Sequence, residues 1–325
     1  MSEKRATVIV PVYNAGDGIY RCINSLLHQN SDAFQVLLIN DGSTDNSLEI
    51  ITRIANDHPD IFKVIDQNNA GVCETRHRGI AESDTEYILF MDNDDYVEPD
   101  YIKRLVHEAD TSGADIVICG CRRVSEKGVK FVVRPTRQDE FAPYLMTAPW
   151  ARIFRRQLLI DHDVRFLECS IGEDAYFNLS AYLYTDAIKT IDYVGYNWYY
   201  NEESVSNTLQ RGLNNECDPL QLLSAISLKY DACGCRNAVF DYFVYRYVVW
   251  YLLWSGKTAS PERFMEEYRR LFQWLDNHHY SLNIKFYDAR IASDKLQNRL
   301  AISIFSKLSF LHLVGIFAKL YCANS

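Results

Sequence analysis

Several familiar features are missing from this sequence. No signal-peptide-like apolar stretch precedes the first pattern, because Met1 to Ala6 runs straight into β-branched residues. No G-x-G-x-x-G follows the first strand, so the dinucleotide fingerprint is absent, and there is no P-loop lysine motif. The nine cysteines are scattered. Cys119/Cys121 and Cys233/Cys235 form C-x-C pairs without a His or second Cys pair at zinc spacing, which favours buried reduced thiols over metal ligands. Positive charge is in short supply: the formal net charge of −9 argues against a nucleic-acid-binding surface as the main business. Reduced thiols and the bare N-terminus together predict a cytoplasmic location.

What is present is an ordinary globular composition, and 325 residues suffice for one large core or two modest ones. Tyrosine leads the aromatics, which concentrate between Tyr182 and Trp274. The most informative stretch is Phe90-Met91-Asp92-Asn93-Asp94-Asp95, where an apolar run beginning at Tyr87 ends in three carboxylates within four positions. The run has the length of a buried strand. Aspartates suit strands poorly and repel one another at the edge of an apolar core. A hard divalent cation such as Mg²⁺ or Mn²⁺ takes such oxygens and keeps places for phosphate. Two readings stay open here: a metal–diphosphate site at a strand's C-terminal end, or an acidic loop capping a helix that begins near Pro99.

In chain order, the first hundred residues alternate strand and helix. Thr7-Val8-Ile9-Val10 predicts a first strand stopped by Pro11. A helix follows with Ile19, Cys22, Ile23, Leu26 and Leu27 on one face. Val36-Leu37-Leu38-Ile39 is apolar throughout, as expected of a strand covered on both sides. Asp45 or Asn46 caps a helix carrying Leu48, Ile51, Ile54 and Ala55. Val64-Ile65 is a short strand, and a helix is expected over Val72 to Ala81. After the carboxylate strand, Pro99 opens a helix with Ile102, Leu105, Val106 and Ala109, and Asp115 to Cys119 is a further strand. Repeated strand–helix–strand units imply an α/β fold with a mostly parallel sheet. Ligands bind such sheets at the C-terminal strand ends. Pro11 to Asn14, Asn40 to Ser43 and Asp92 to Asp95 all fall there.

These motifs, with Asn69-Ala70-Gly71, Arg76 and Gly172-Glu173-Asp174, resemble glycosyltransferase family 2 in order and spacing over roughly residues 6 to 207. The resemblance implies a GT-A (nucleotide-diphospho-sugar transferase) fold and an inverting enzyme that uses a nucleotide sugar. Pro11 and Tyr13 match the loop against the nucleotide base, and Asp41 the aspartate that reads the uracil edge. The family usually has Asp-Asp where this chain has Asn40-Asp41. Arg76 matches an arginine of the nucleotide pocket. His77 stands where Asn is frequent, with base contact and packing both open. Asp92 and Asp94 match the D-x-D pair, Asp92 toward the ribose and Asp94 toward Mn²⁺ or Mg²⁺ on the diphosphate. Asp95 is expected to support that loop or cap a helix.

The chemistry asks for the same parts. A departing nucleoside diphosphate gathers negative charge that a cation neutralises. The attacking hydroxyl needs a general base across the sugar ring. A carboxylate pair at a helix start such as Glu173-Asp174 also suits the helix dipole. With the resemblance, Asp174 is the base and Glu173 a supporting or acceptor-contacting residue. Arg152 has two readings, contact with acceptor or sugar, or a solvated arginine beside Trp150 and Phe154 in the core. Asn197 to Ser206 resembles a flexible loop that closes over the diphosphate, with Ser204 and Ser206 as phosphate contacts.

After about residue 212 helical patterns take over. Phe240 to Trp254 is apolar almost all round, short for a membrane span, and reads as a buried helix. Ser260-Pro261 starts a helix carrying Phe264, Tyr268, Leu271 and Leu275. The apolar stretch from Leu300 to Tyr321 leaves three readings open: a bilayer surface, the preceding helices, or a second subunit. The expected organisation is a catalytic domain over 1–210, with a nucleotide-sugar half (1–120) and an acceptor half (121–210), then a helical domain over 211–325. The expected activity is transfer of a sugar, from a UDP-sugar first of all, to a hydroxyl of a glycan or of a lipid- or protein-linked glycoconjugate. Membrane-surface contact on the cytoplasmic side and oligomerisation through the C-terminal helices stay open. The rivals are a nucleotidyltransferase, which would want a glycine-rich basic loop in place of Pro11 to Asn14, and a sugar-nucleotide-binding protein without turnover.

Overall fold

The computed structural model describes residues 3–200 and 211–322. Contacts divide the chain into two compact units. The first comprises Met1–Thr136, Met146–Glu168 and Glu173–Tyr200; the second comprises Arg137–Leu145, Cys169–Gly172 and Asn201–Ser325.

The first unit is built on one sheet. Its strands are β1 (Ala6–Val12), β2 (Phe34–Asp41), β3 (Phe62–Gln67), β4 (Tyr87–Phe90), β5 (Tyr96–Val97), β6 (Ile116–Ser125), β7 (Gly128–Val133), β8 (Arg152–Arg155) and β9 (Ile188–Tyr199). The order is β3-β2-β1-β4-β8-β6-β9-β5, with β7 on β6. The β3-β2-β1-β4 half is parallel, as the strand–helix alternation implies. Beyond it β6 and β9 pair in parallel, while β8 is antiparallel to both its neighbours and β5 antiparallel to β9. The sheet is therefore mixed, and its antiparallel part begins where the regular alternation ends.

Period-two alternation sorts β1 between two cores. Val8, Val10 and Val12 pack with Cys22, Ile23 and Leu26 of α1 (Ile19–Leu27), whereas Ile9 packs with Ile80 of α3 (Gly71–Glu82) and with Phe90, Phe154 and Phe177. On the first of these cores also pack α2 (Ser47–Asp57) and, after β5, α4 (Tyr101–Ser112) with Ile102, Leu105 and Ala109 buried. Two short helices, α5 (Arg156–Asp161) and α6 (Glu173–Tyr182), complete the unit. Gly79 lets α3 approach β1, since a Cβ there would sit 2.4 Å from Ile9 Cγ2.

One strand boundary differs from expectation. Pro11 does not end β1, which runs on to Val12 beside β2. The register with β4 stops at Ile9, and Asn93 Nδ2 donates to the Pro11 carbonyl at 2.9 Å on that side. Proline's missing N–H therefore points where no strand asks for it.

The second unit is helical: α7 (Pro219–Ala232), α8 (Ala238–Ser255), α9 (Pro261–Asn277), α10 (Leu296–Phe310) and α11 (Val314–Cys322). Side-chain caps start three of them, from Asp218, Asn237 and Ser260. α8 is buried around much of its circumference, as its sequence predicts. Phe317 of α11 meets Phe264 and Phe305, so the C-terminal stretch packs one face on the preceding helices. Among the described residues no helix is long and apolar enough to cross a membrane. Cys119 and Cys121 are buried as expected, but Cys233 and Cys235 are exposed, because they sit on the turn that leaves α7 rather than inside a strand.

Candidate active site

Four segments at the C-terminal ends of β1, β2, β3 and β4 line a cleft of about 500 Å³. Its walls include Pro11, Tyr13, Asp41, Gly71, Asp92 and Asp94. The loops are stitched to one another. Asn14 Oδ1 accepts from the Thr44 amide at 2.8 Å, and Asp45 accepts from the amides of Gly16 and Ser47 at 3.1 and 3.0 Å. Gly42 has φ of +69°, and a Cβ there would lie 2.6 Å from the Asn69 backbone nitrogen. Only glycine fits that approach.

Tyr13 stands half-exposed at the lip. Asp41 is buried, and its carboxylate accepts from the amides of Ala70 and Gly71 and from Gln67 Nε2, at 2.8 to 2.9 Å. Three of about four acceptor positions are taken, so Asp41 fixes the start of α3 as well as facing the cleft. Asn40 donates to Asp66 Oδ1 at 2.7 Å. An aspartate could not make that bond and would repel Asp66, which accounts physically for this departure from the Asp-Asp pattern.

Arg76 is the centre of the arrangement. Its side chain is 5% exposed, with Nη1 at 2.7 Å from Asp174 Oδ1 and Nη2 at 3.0 Å from Asp92 Oδ1. One guanidinium thus joins the first D-x-D aspartate on the β4 end to the carboxylate at the start of α6, which lies 98 positions beyond the arginine. Asp174 keeps 26% of its side chain exposed. Burial pushes it up to about 7; the Arg76 cation pulls the other way, and Glu173 and Asp92 add to the rise. Glu173 opens α6 beside it.

Burial and the neighbouring Asp92 charge push Asp94 up to about 6. Arg21 Nη1 donates to the Asp94 backbone carbonyl at 3.1 Å. Among the described residues no three His, Cys, Asp or Glu side chains gather as a metal cluster. Two carboxylates near one lip still fit a Mg²⁺ or Mn²⁺ ion of the kind held by one or two carboxylates, with phosphate oxygens and water filling the remaining places.

Asp95 is fully buried, accepting from Tyr196 Oη at 2.6 Å and from the Tyr199 amide at 2.7 Å, and burial drives it well above the usual carboxylate range. It anchors the D-x-D loop to β9, and Tyr196 Oη also accepts from the Asp92 amide at 3.2 Å. Sequence reasoning missed Tyr196 and Arg21, because neither lies near the motif it supports. Asn93, given no role by the sequence, lines the cleft and tethers Pro11.

Two ambiguous residues turn out to be structural. His77 Nε2 accepts from the Phe166 amide at 2.7 Å, Nδ1 meets Glu74 at 3.0 Å, and the ring packs on Phe166. Arg152 is fully buried, bonded to Tyr182 Oη and the Met146 carbonyl, and reaches no cleft residue. Ser204 and Ser206 lie outside the described residues.

The model of Glycosyl transferase family 2 matches residues 7–172. EpsJ of Bacillus subtilis, an uncharacterized glycosyltransferase, is 31% identical over 277 residues, 78% of each chain. TarS of Staphylococcus aureus, a poly(ribitol-phosphate) beta-N-acetylglucosaminyltransferase, is 28% identical over 201 residues, 60% of this chain and 35% of its own. A crystal structure of S. aureus TarS 1–349 with UDP-GlcNAc matches with a TM-score of 0.70 at 20% identity, covering 93% of this chain and 92% of that one. The mannosyltransferase PcManGT of Pyrobaculum calidifontis, in complex with GDP-Man and Mn²⁺, matches at 0.56 with 14% identity, covering 95% and 88%. The likeness to TarS shows that the expected GT-A fold is present. The family match and the EpsJ relationship show the rest: this chain belongs to glycosyltransferase family 2 and is a glycosyltransferase.

Proposed function

We propose that the chain transfers a sugar from a UDP-linked donor to a hydroxyl of a glycan or glycoconjugate acceptor, by a single displacement that inverts the anomeric centre. The observation that carries this reading is the Arg76 bridge, which holds Asp174 and Asp92 on one guanidinium. The binding of UDP-GlcNAc by TarS supports the choice of UDP.

In this reading Pro11 and Tyr13 flank the base, and Asp41 offers its remaining acceptor position to the base edge. Asp92 faces the ribose, and Asp92 and Asp94 would hold Mn²⁺ or Mg²⁺. The ion, when bound, neutralises charge on the departing diphosphate. Asp174 Oδ2, left over when Oδ1 is taken by Arg76, accepts the proton of the attacking hydroxyl. A carboxylate raised toward neutrality is a better proton acceptor than an ordinary surface aspartate, and Arg76 keeps it ionised. Glu173 contacts the acceptor beside it. Because one attack displaces the nucleotide, an α-linked donor gives a β-linked product.

A thermal-shift screen of UDP-, GDP- and dTDP-sugars with Mn²⁺ tests the donor class, since a ligand that binds the native state raises its melting temperature. The reading expects the largest shift with a UDP-sugar. A larger shift with a GDP- or dTDP-sugar refutes the UDP assignment, and donor binding without turnover on any glycan acceptor favours a binding protein.

A further inference from the structure

The charge of this chain is unevenly placed. It is net acidic by nine, yet from Lys295 onward it carries Lys295, Arg299, Lys307 and Lys319 and not one Asp or Glu. That basic segment forms α10, a tight turn and α11. The inner faces are accounted for: Ile302, Phe305, Val314 and Ala318 are buried. The outer faces are apolar as well. Ile304 and Leu311 on one helix and its end are 56% and 57% exposed, and Ile316 and Leu320 on the other are 61% and 66% exposed. Phe310, at the turn, is 84% exposed. Lys307 and Lys319 are exposed beside these residues. Tyr321 Oη bonds the Leu253 carbonyl, which brings the end of α8 to this hairpin, and there Trp254 and Trp250 stack in the open with ring centres 5.8 Å apart.

So large a set of exposed aliphatic and aromatic side chains calls for a cover. A second copy of the chain is a poor one. In a two-fold contact the patch meets itself, and these helices carry no carboxylate to pair with its lysines. An anionic bilayer matches both properties: acyl chains for the apolar ridge, lipid phosphates for the lysines, and the headgroup boundary for the tryptophans.

We propose that the α10–α11 hairpin, tipped by Phe310 and Leu311, docks the protein on an anionic lipid surface. The hairpin lies in the interface without spanning it, and this role is independent of the donor chemistry.

The test is co-sedimentation of the full chain with phosphatidylcholine vesicles and with mixed phosphatidylcholine–phosphatidylglycerol vesicles. Binding is expected to the mixed vesicles, to weaken with added salt, and to be slight on phosphatidylcholine alone. Lys307→Gln with Lys319→Gln lowers partitioning about 25-fold, at about five-fold per lysine. Phe310→Ser with Leu311→Ser and Ile316→Ser abolishes it. The melting temperature of each variant, and its shift with a UDP-sugar, show that the fold and the donor cleft are kept. Failure of the full chain to pellet with mixed vesicles overturns the proposal, as does undiminished pelleting of the folded triple serine variant. Sedimentation velocity adds a third arm: a dimer of the parent chain that the triple variant dissolves overturns it too, in favour of a second copy. Vesicle binding needs no donor, so the lipid and UDP readings fail separately.

Discussion

The donor cleft and the C-terminal hairpin are opposites. The cleft is lined by Asp41, Asp92 and Asp94, and buried Arg76 ties Asp92 to Asp174, while the hairpin has lysines, exposed apolar side chains and no carboxylate. In the cleft, polar groups are held in place by other polar groups. Arg76, Tyr196 and the amides at 70 and 71 each take up an aspartate oxygen or position an aspartate. On the hairpin, the exposed residues are held only by the helix beneath them. The contrast teaches that the first surface is organised for a small charged ligand and the second for an extended apolar one.

The sharpest way to break the picture of the cleft is Asp174→Asn. Turnover should fall by about two to four orders of magnitude, the range for a positioned general base, while donor affinity stays nearly intact. Steady-state kinetics beside calorimetric donor binding reads the two separately. If donor affinity collapses as well, Asp174 is a structural partner of Arg76 and not the base.

A second test uses pH. Asp174 must be ionised to accept a proton, so the rate should fall on the acid side of a pKa near the value of about 7 that burial imposes. Arg76→Met removes the cation that favours the charged form, so Asp174 should bind its proton more tightly and the acid limb should move to higher pH. A limb that stays in place separates Arg76 from the base. The same substitution leaves Asp92 and Asp174 without their shared partner. Both retain some exposure, so the loss of stability should be on the order of 1–3 kcal/mol rather than the full cost of a deeply buried pair, as measured by urea unfolding.

Much of the cleft was legible because its parts are local words at strand ends: Asp41 with Gly42, Asp92 with Asp94, Glu173 with Asp174. Strand–helix alternation likewise predicts the parallel half of the sheet. What was not legible depends on distant partners. The roles of Tyr196 and Arg21 arise only when β9 and α1 come to the D-x-D loop. Both readings of Arg152, substrate contact or solvated side chain, assumed exposure as is normal for an arginine, yet backbone carbonyl and tyrosine acceptors let it be buried. Pro11 looked like a strand stop because the sequence does not reveal on which side its missing N–H falls. For the hairpin, the pattern of Leu300 to Tyr321 predicts helix but cannot say which apolar residues meet α8 and α9 and which face outward.

Smaller effects sharpen the comparison further. Gly42→Ala should destabilise by about 1–2 kcal/mol, through the left-handed backbone and the close approach to Asn69, and should weaken donor binding by displacing the loop. Thermal unfolding with and without UDP measures both. The least consequential expectation concerns thiols. Burial pushes Cys119 and Cys121 up to about 12, so they should resist alkylation in the native protein, while exposed Cys233 and Cys235 react; mass spectrometry after a brief iodoacetamide pulse distinguishes them.

The measurement closest to the central claim is calorimetric titration of UDP into the parent chain and into Asp94→Asn, each with Mn²⁺ and with EDTA. If the carboxylates at the end of β4 hold the donor diphosphate through an ion, the parent chain binds UDP more tightly with Mn²⁺ than with EDTA, and Asp94→Asn loses that difference. Equal Mn²⁺-dependent affinity in the two proteins would contradict the account.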